Sequence, residues 1–118
     1  MIKQISIERV HLALGPTDLR KSIDGLALIV EHVLQMDPFS THLFAFCNKR
    51  QNIIKILVWD NNGFWIHYKR LESGYFKWPQ KKIGPSISID ERQFRWLLDG
   101  LNIEQSNAHK PANERILI

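Results

Sequence analysis

The sequence has a single cysteine and no long apolar run. Cys47 has no second cysteine to pair with, so no disulfide forms within the chain and a hydrophobic core must stabilise the fold. No stretch approaches the ~20 apolar residues that span a bilayer. The first residues also lack the apolar core and the cleavage site of a signal peptide. We therefore expect a cytoplasmic protein without a membrane partner.

Sequence motifs for catalysis and cofactor binding are scarce. The chain has no glycine-rich phosphate loop, and its 12 carboxylates are scattered. Asp18, Asp37, Asp60 and Asp90 each have a sufficient local role. His42 and Cys47 are the only neighbouring His and Cys, and no second pair follows at zinc spacing. We expect no catalytic residue, metal, cofactor or small-molecule substrate. Asp60, at a strand end, is the carboxylate that a nuclease hypothesis would test.

Hydrophobic periodicity predicts how the N-terminal third folds. The segment Ile5–Leu14 is short and β-branched and ends at Gly15-Pro16, which is typical of a strand. From Thr17 onward the apolar residues recur at helical spacings, up to Asp37-Pro38. This pattern predicts one long helix with Thr17 as its N-cap, ended by the proline.

The middle of the chain alternates with period two between turn signals. The predicted strands are His42–Cys47, Ile53–Trp59, Phe64–Lys69 and Tyr75–Trp78. Further on, Asp90 and Gln93 have capping-box spacing, and Gly100 stands where a left-handed C-terminal glycine belongs. These signals predict a second, short helix.

Together these elements predict an α+β fold. An antiparallel meander of four to five strands packs on one long N-terminal helix and one short C-terminal helix, both on the same sheet face. The result is a two-layer single domain over residues 1–101. The polar composition from residue 102 predicts a mobile C-terminal tail over 102–118.

Positive charge is concentrated in one segment. The net charge of +4 and the pI of 9.4 are a modest basic surplus. Residues 42–82, however, hold eight Lys or Arg against Asp60 and Glu72, together with nine of the 12 aromatic residues. Such a surface can stack on bases and neutralise phosphates. Aromatic residues also simply fit strands, and lysines protect sheet edges, so composition alone leaves both interpretations open.

Alternation along the predicted strand Phe64–Lys69 separates two sets of side chains. One set, Phe64, Ile66 and Tyr68, is expected to pack on the helices. The other, Trp65, His67 and Lys69, is expected to face solvent. We expect Lys55 on the same exposed face.

Many short motifs resemble one family. They are Leu14-Gly15-Pro16-Thr17-Asp18-Leu19-Arg20-Lys21, Asp24-Gly25-Leu26, Asp37-Pro38-Phe39-Ser40, Lys55-Ile56-Leu57, Trp59-Asp60, Gly63-Phe64-Trp65, Tyr68-Lys69-Arg70-Leu71-Glu72, and Gly74 followed by Phe76, Trp78 and Pro79. The chain is similar over Val10–Leu101 to the TnpB-type accessory proteins, encoded by the second reading frame, of the bacterial insertion-sequence family sixty-six.

The resemblance implies a non-catalytic role in transposition, beside a separate and larger transposase. The basic positions that match the family motifs are Arg20, Lys21, Lys69 and Arg70. The chain departs from its relatives in the hairpin Asn48–Lys55, where they commonly carry further basic residues and this chain has Gln51 and Ile53. This departure argues against that hairpin turn as the principal phosphate contact.

The leading hypothesis is that the domain binds DNA. The expected DNA-binding residues are Arg20, Lys21, Lys49, Arg50, Lys55, Trp65, His67, Lys69, Arg70, Lys77, Lys81 and Lys82. The alternative is an assembly module that contacts the transposase or another accessory protein through exposed aromatics or the tail residues Ile116–Ile118. A homodimer through an edge strand is compatible with both hypotheses.

Overall fold

The computed structural model describes residues 8–80 and 83–105. The elements of this part are β1 (Val10–Ala13), α1 (Ile23–Leu28), β2 (Leu43–Cys47), β3 (Ile53–Asp60), β4 (Gly63–Arg70), β5 (Ser86–Ile89) and α2 (Glu91–Leu98). Helix α1 continues directly into a π-helical turn over Ile29–Val33. Neither helical segment in these ranges has the length and apolarity to span a bilayer.

The strands form one mixed sheet in the order β4-β3-β2-β1-β5. Strands β1 and β2 are parallel, with Val10 opposite Leu43, whereas the other neighbouring strands are antiparallel. A parallel pair needs a crossover connection, and α1 lies in the connection between β1 and β2. The predicted purely antiparallel meander is therefore wrong, because β1 and β2 are parallel and β5 lies beside β1 and not beside β4.

The prediction of a long N-terminal helix is also wrong. The helical segment has only 11 residues, and its N-cap is Ser22. The backbone N–H of Thr17 instead donates to the carbonyl of Cys47 at 2.8 Å, which fixes this stretch to the end of β2. Leu19 packs on the same apolar cluster as the helix, but it is not helical. Because its position in the sequence fits the helical spacing, the predicted helix starts too early. At the other end, Gln35 takes a left-handed φ of 56° and the helical segment stops before the proline.

The two helices cover opposite faces of the sheet, which corrects the predicted two-layer arrangement. On one face Leu26 and Val30 pack on Phe44, Phe46 and Leu57. On the other, the α2 side chains Phe94 and Leu97 join a larger cluster, which includes Val10, Leu12, Leu43, Ala45, Cys47, Ile54, Ile56, Val58 and Ile89. Successive side chains of β2 and β3 pack alternately in one cluster and in the other, so the central strands are buried on both faces.

The segment Tyr75–Trp78 is not a strand. Its period of two is real, because Phe76 and Trp78 are buried while the intervening side chains are exposed. However, the segment lies against the α2 face, where the indole Nε1 of Trp78 donates to the carbonyl of Ala13 at 3.0 Å. The fifth strand is β5, which pairs with β1 and which the sequence did not indicate.

Local signals are confirmed at the β2–β3 and β3–β4 hairpins and at α2. The β3–β4 turn has two residues, with Asp60 opposite Gly63 and Asn61 at a φ of 60°. The capping box between Asp90 and Gln93 is complete. Gly100 has a φ of 84° and ends α2 as predicted. Most of the predicted tail, residues 106–118, and the basic residues Lys81 and Lys82 lie outside the described residues.

Candidate nucleic-acid interface

A groove of about 480 Å³ gathers basic side chains on the α1 side of the sheet. We call it the basic groove. Its lining comes from the loop residues 17–20, the β2–β3 turn, and strands β3 and β4. Four of its residues are basic and were predicted to bind DNA: Arg20, Lys49, Arg50 and Lys55. Two regions that are far apart in the sequence, the loop at Arg20 and residues 49–55, therefore bring their cations to one concave surface.

The loop before α1 is held by its own polar groups. The guanidinium of Arg20 donates to both carboxylate oxygens of Asp18, at 3.0 and 2.8 Å, and its backbone N–H donates to the same group at 3.0 Å. These bonds from Arg20 hold the pKa of Asp18 well below its usual range. The Nζ of Lys55 donates to the carbonyl of Lys21 at 3.2 Å and ties the loop to β3. Arg20 is therefore partly neutralised, whereas Lys55 has no carboxylate partner among the described residues.

The β2–β3 turn is rigid at its base and exposed at its tip. The side-chain oxygen of Asn48 accepts from the backbone N–H groups of Asn52 and Ile53, both at 3.0 Å. At the tip, Lys49 and Arg50 are exposed, and in ranges 8–80 and 83–105 their side chains form neither a hydrogen bond nor an ion pair. A fixed turn that carries two unpaired cations is suited to contact phosphate groups.

Tyr68 supplies an exposed ring to the basic groove and was not among the predicted site residues. It lies directly opposite Lys55 in the β3–β4 ladder, and 56% of its surface is exposed. The two-residue turn fixes this register, so counting outward from Asp60 and Gly63 would have found the pair. We expected Tyr68 to pack on the helix, and its exposure shows that this expectation is wrong.

Three of the predicted residues lie on the opposite face of β4. Trp65, His67 and Lys69 share one face, as the alternation predicted, but this face is the α2 side and not the helix-free side that we expected. Lys55 does not join them, because it pairs with Tyr68 and faces the α1 side, so this part of the prediction is wrong. The Nζ of Lys69 donates to the carbonyl of Leu98 at 2.7 Å, and burial lowers the pKa of His67.

The remaining predicted cations do not line the basic groove. Lys21 contributes only its carbonyl, as the acceptor for Lys55. Arg70 forms an ion pair with Glu72 at 3.1 Å. Lys77 lies over the ring of Tyr75, with its Nζ 4.6 Å from the ring centre. The predicted set therefore splits into the basic groove, a separate group on the α2 face, and isolated positions.

The described chain offers little for metal or thiol chemistry. Residues 8–80 and 83–105 contain no group of three His, Cys, Asp or Glu placed to hold a metal ion. Burial raises the pKa of Cys47 to about 12, which makes its thiol a core group. The exposed carboxylate of Asp60 accepts a hydrogen bond from Trp65 Nε1 at 3.1 Å.

Fold and groove define a small mixed α/β protein that offers a basic, concave surface. Residues 8–108 match the family model described as IS66 Orf2 like protein, and the chain belongs to this family. The resemblance seen in the sequence motifs is thereby confirmed. Membership points to an accessory role in the transposition of an insertion sequence.

Two relatives come from Sinorhizobium fredii. The uncharacterized protein y4hO is 36% identical over 94 residues, which cover 80% of this chain and 81% of the relative. The uncharacterized protein y4jC is 33% identical over 94 residues, which cover 80% of each chain. No solved structure matches the chain.

Proposed function

We propose that this chain is a non-catalytic accessory protein of transposition that binds DNA through the basic groove. One observation carries the proposal: cations from a loop, a turn and a strand converge around the exposed ring of Tyr68. Lysine and arginine side chains neutralise phosphates, and an aromatic ring offers a stacking surface to a base.

The arrangement of partners around these cations also supports the proposal. Arg20 is the one cation of the basic groove that has a carboxylate partner within the described residues. Lys49, Arg50 and Lys55 are left to attract an anion. The lining of the basic groove has four cations against one carboxylate, that of Asp18, and a concave surface with such a positive excess focuses the field and attracts a polyanion. The proposed partners are DNA and, within the same element, the transposase and other accessory proteins.

Fluorescence anisotropy with labelled element-end duplex, scrambled duplex and single strand tests the proposal. We expect log K to fall linearly with log salt. Arg50→Ala should weaken binding to all sequences several-fold and reduce the salt slope by about one unit, because it removes one phosphate contact without breaking a described side-chain bond. The scrambled duplex shows whether the protein also reads sequence.

Arg95→Ala is the matched control for this titration. It removes the same charge from α2, on the other face of the sheet, where Arg95 pairs with Glu91 at 2.7 Å. The control should bind nearly as the unaltered protein does. Binding that is insensitive to salt, or that the two variants weaken equally, would contradict the role of the basic groove.

A second candidate function is protein–protein assembly without direct DNA contact. Leu28, Val33 and Phe39 are each more than half exposed, and Phe39 packs its ring against Trp59 and Phe64. Exposed apolar side chains of this size are typical of protein contacts. A pull-down of the transposase that survives nuclease treatment, combined with no anisotropy change on any DNA, would favour this function.

A further inference from the structure

The outer edge of β4 differs from the opposite edge of the sheet. Strand β4 has eight residues and, in the described ranges, pairs only with β3. Its exposed side chains include Trp65 and Tyr68. The edge strand β5 has four residues and directly follows Pro85. Short strands, charged side chains and nearby proline protect an edge. On β4 the protecting charges, Lys69 and Arg70, are confined to one end, so the rest of this long edge is a template for pairing.

The ladder with β3 determines which backbone groups of β4 point outward. The backbone N–H of Leu71 donates to the carbonyl of Asn52, its partner in the continued register, at 2.8 Å. Hydrogen-bonded and non-hydrogen-bonded pairs alternate in an antiparallel ladder. Odd-numbered residues of β4 therefore bond to β3. The residues whose N–H and C=O groups point outward are Phe64, Ile66, Tyr68 and Arg70.

We propose that β4 pairs with β4 of a second copy of this chain, antiparallel about a twofold axis at His67. A twofold axis that is perpendicular to the sheet and passes through a residue pairs even-numbered residues with even-numbered ones and odd-numbered residues with odd-numbered ones. With the axis at His67, Ile66 faces Tyr68 and Phe64 faces Arg70, so every outward-pointing residue finds a partner. An axis at Ile66 would place Arg70 opposite Asn62, which is beyond the strand.

The positions of cations and rings along β4 favour a second copy in this orientation. The two cations of the strand, Lys69 and Arg70, lie at one end, and the rings of Phe64 and Trp65 lie at the other. Antiparallel pairing places Lys69 beside Trp65 and Arg70 beside Phe64 of the other copy, so each cation lies next to a ring and not next to a like charge. Parallel pairing would instead bring like charges together. At the axis, burial lowers the pKa of His67, so two neutral rings can adjoin.

Pairing of this kind joins the two basic grooves, an implication that rests on the proposed function. The twofold axis keeps each face of the sheet on the same side in both copies. Tyr68 faces Ile66, so the two Tyr68 positions are separated by about 7 Å along the strands and about 5 Å across them. Each copy would thus complete a basic surface that continues across the axis.

The association state and a single cysteine substitution test the dimer without DNA. Light scattering over a range of concentrations should give twice the chain mass of 13.9 kDa. His67→Cys should form a disulfide-linked dimer on oxidation, because a non-hydrogen-bonded pair brings its Cα atoms to about 4.5 Å, within disulfide range. The native Cys47 is buried and does not compete.

Ile66→Cys is the matched control. In the proposed register its thiol faces Tyr68 and stays unlinked. A monomeric mass at every concentration would overturn the dimer. A dimer that is linked by Ile66→Cys, or by neither variant, would overturn this pairing. None of these outcomes depends on the anisotropy titration, so the dimer and DNA binding can fail separately.

Discussion

At the scale of single residues, His11 is the buried group with the clearest electrostatic constraint. Its Nε2 lies 2.7 Å from Nδ1 of His42, and its ring stacks on Phe44 with the ring centres 5.4 Å apart. Only 8% of its surface is exposed. Burial, followed by the charges of His42 and Arg9, lowers the pKa of His11. The fold therefore favours a neutral imidazole between β1 and the start of β2.

This constraint predicts loss of stability in mild acid. A histidine whose pKa is lowered in the folded state binds more protons in the unfolded state. Above the unfolded pKa of about 6.5 the histidine therefore costs the folded state no stability. As the pH falls below that value, the free energy of unfolding decreases. We expect the free energy of unfolding in urea to decrease between pH 7 and pH 5. His11→Gln should flatten this decrease by at most about 1.4 kcal/mol per pH unit.

His32→Gln is the control for the pH series. Its ring is on the exposed surface of the π-helical turn, with 69% of the side chain accessible. His67, whose pKa burial also lowers, remains in both variants and contributes equally to both curves. If His11→Gln and His32→Gln give the same pH dependence as the unaltered protein, the argument from burial of His11 fails.

At the scale of elements, α2 shows how local signals end and begin a helix. Asp90 accepts from the backbone N–H of Gln93 at 2.8 Å, and the Gln93 side chain accepts from the N–H of Asp90 at 3.0 Å. At the other end, Leu101 N–H donates to the carbonyl of Trp96 and Gly100 N–H to that of Leu97, which is a Schellman arrangement. Both ends satisfy backbone groups that the helix leaves free.

We expect Asp90→Ala to destabilise the protein by about 1 kcal/mol, because the first turn of α2 loses its capping acceptor. Asp90→Asn should preserve most of the stability, since asparagine caps equally well. Urea unfolding followed by tryptophan fluorescence measures both variants. Equal destabilisation by the two substitutions would show that the negative charge, and not the cap, stabilises this end.

Prediction from the sequence was correct for elements that depend on local signals. It was wrong where a contact between residues distant in the sequence determines the structure. The β2–β3 and β3–β4 hairpins, the capping box and Gly100 depend on neighbours a few residues away, so their positions were correct. Thr17 satisfied the rules for an N-cap, yet its N–H bonds to Cys47, 30 positions later in the sequence. The burial of Phe76 and Trp78 against the sheet face is likewise a tertiary contact that period-two alternation does not distinguish from a strand.

For the candidate site, the sequence identified the residue types but not their grouping. The concentration of cations within 42–82 is visible in the composition. Lys55 was assigned to the wrong face because the residues of the two strands were not paired outward from the turn. That pairing places Lys55 opposite Tyr68. The approach of the loop at Arg20 to the β2–β3 turn depends on the parallel crossover, which no local pattern in this chain indicates.

At the scale of the whole molecule, the sheet separates two surfaces of different character. The α1 side carries the basic groove, and the α2 side carries the larger apolar cluster and the ion-paired helix. Strand β4 is shared by both, with Tyr68 on the first side and Trp65 on the second. A contact along its outer edge therefore extends both surfaces at once without using the side chains that fill the core.

If both proposals hold, two chains bind one DNA molecule. The axis at His67 brings the two basic grooves together on one face, so a duplex that contacts one groove can continue into the other. Analytical ultracentrifugation of labelled duplex should give two chains per duplex, and the oxidised His67→Cys dimer should bind at the same ratio. Linking two sites strengthens binding by raising the effective concentration at the second. A saturating ratio of one chain per duplex, in a protein that binds DNA and is dimeric by mass, would contradict a continuous surface.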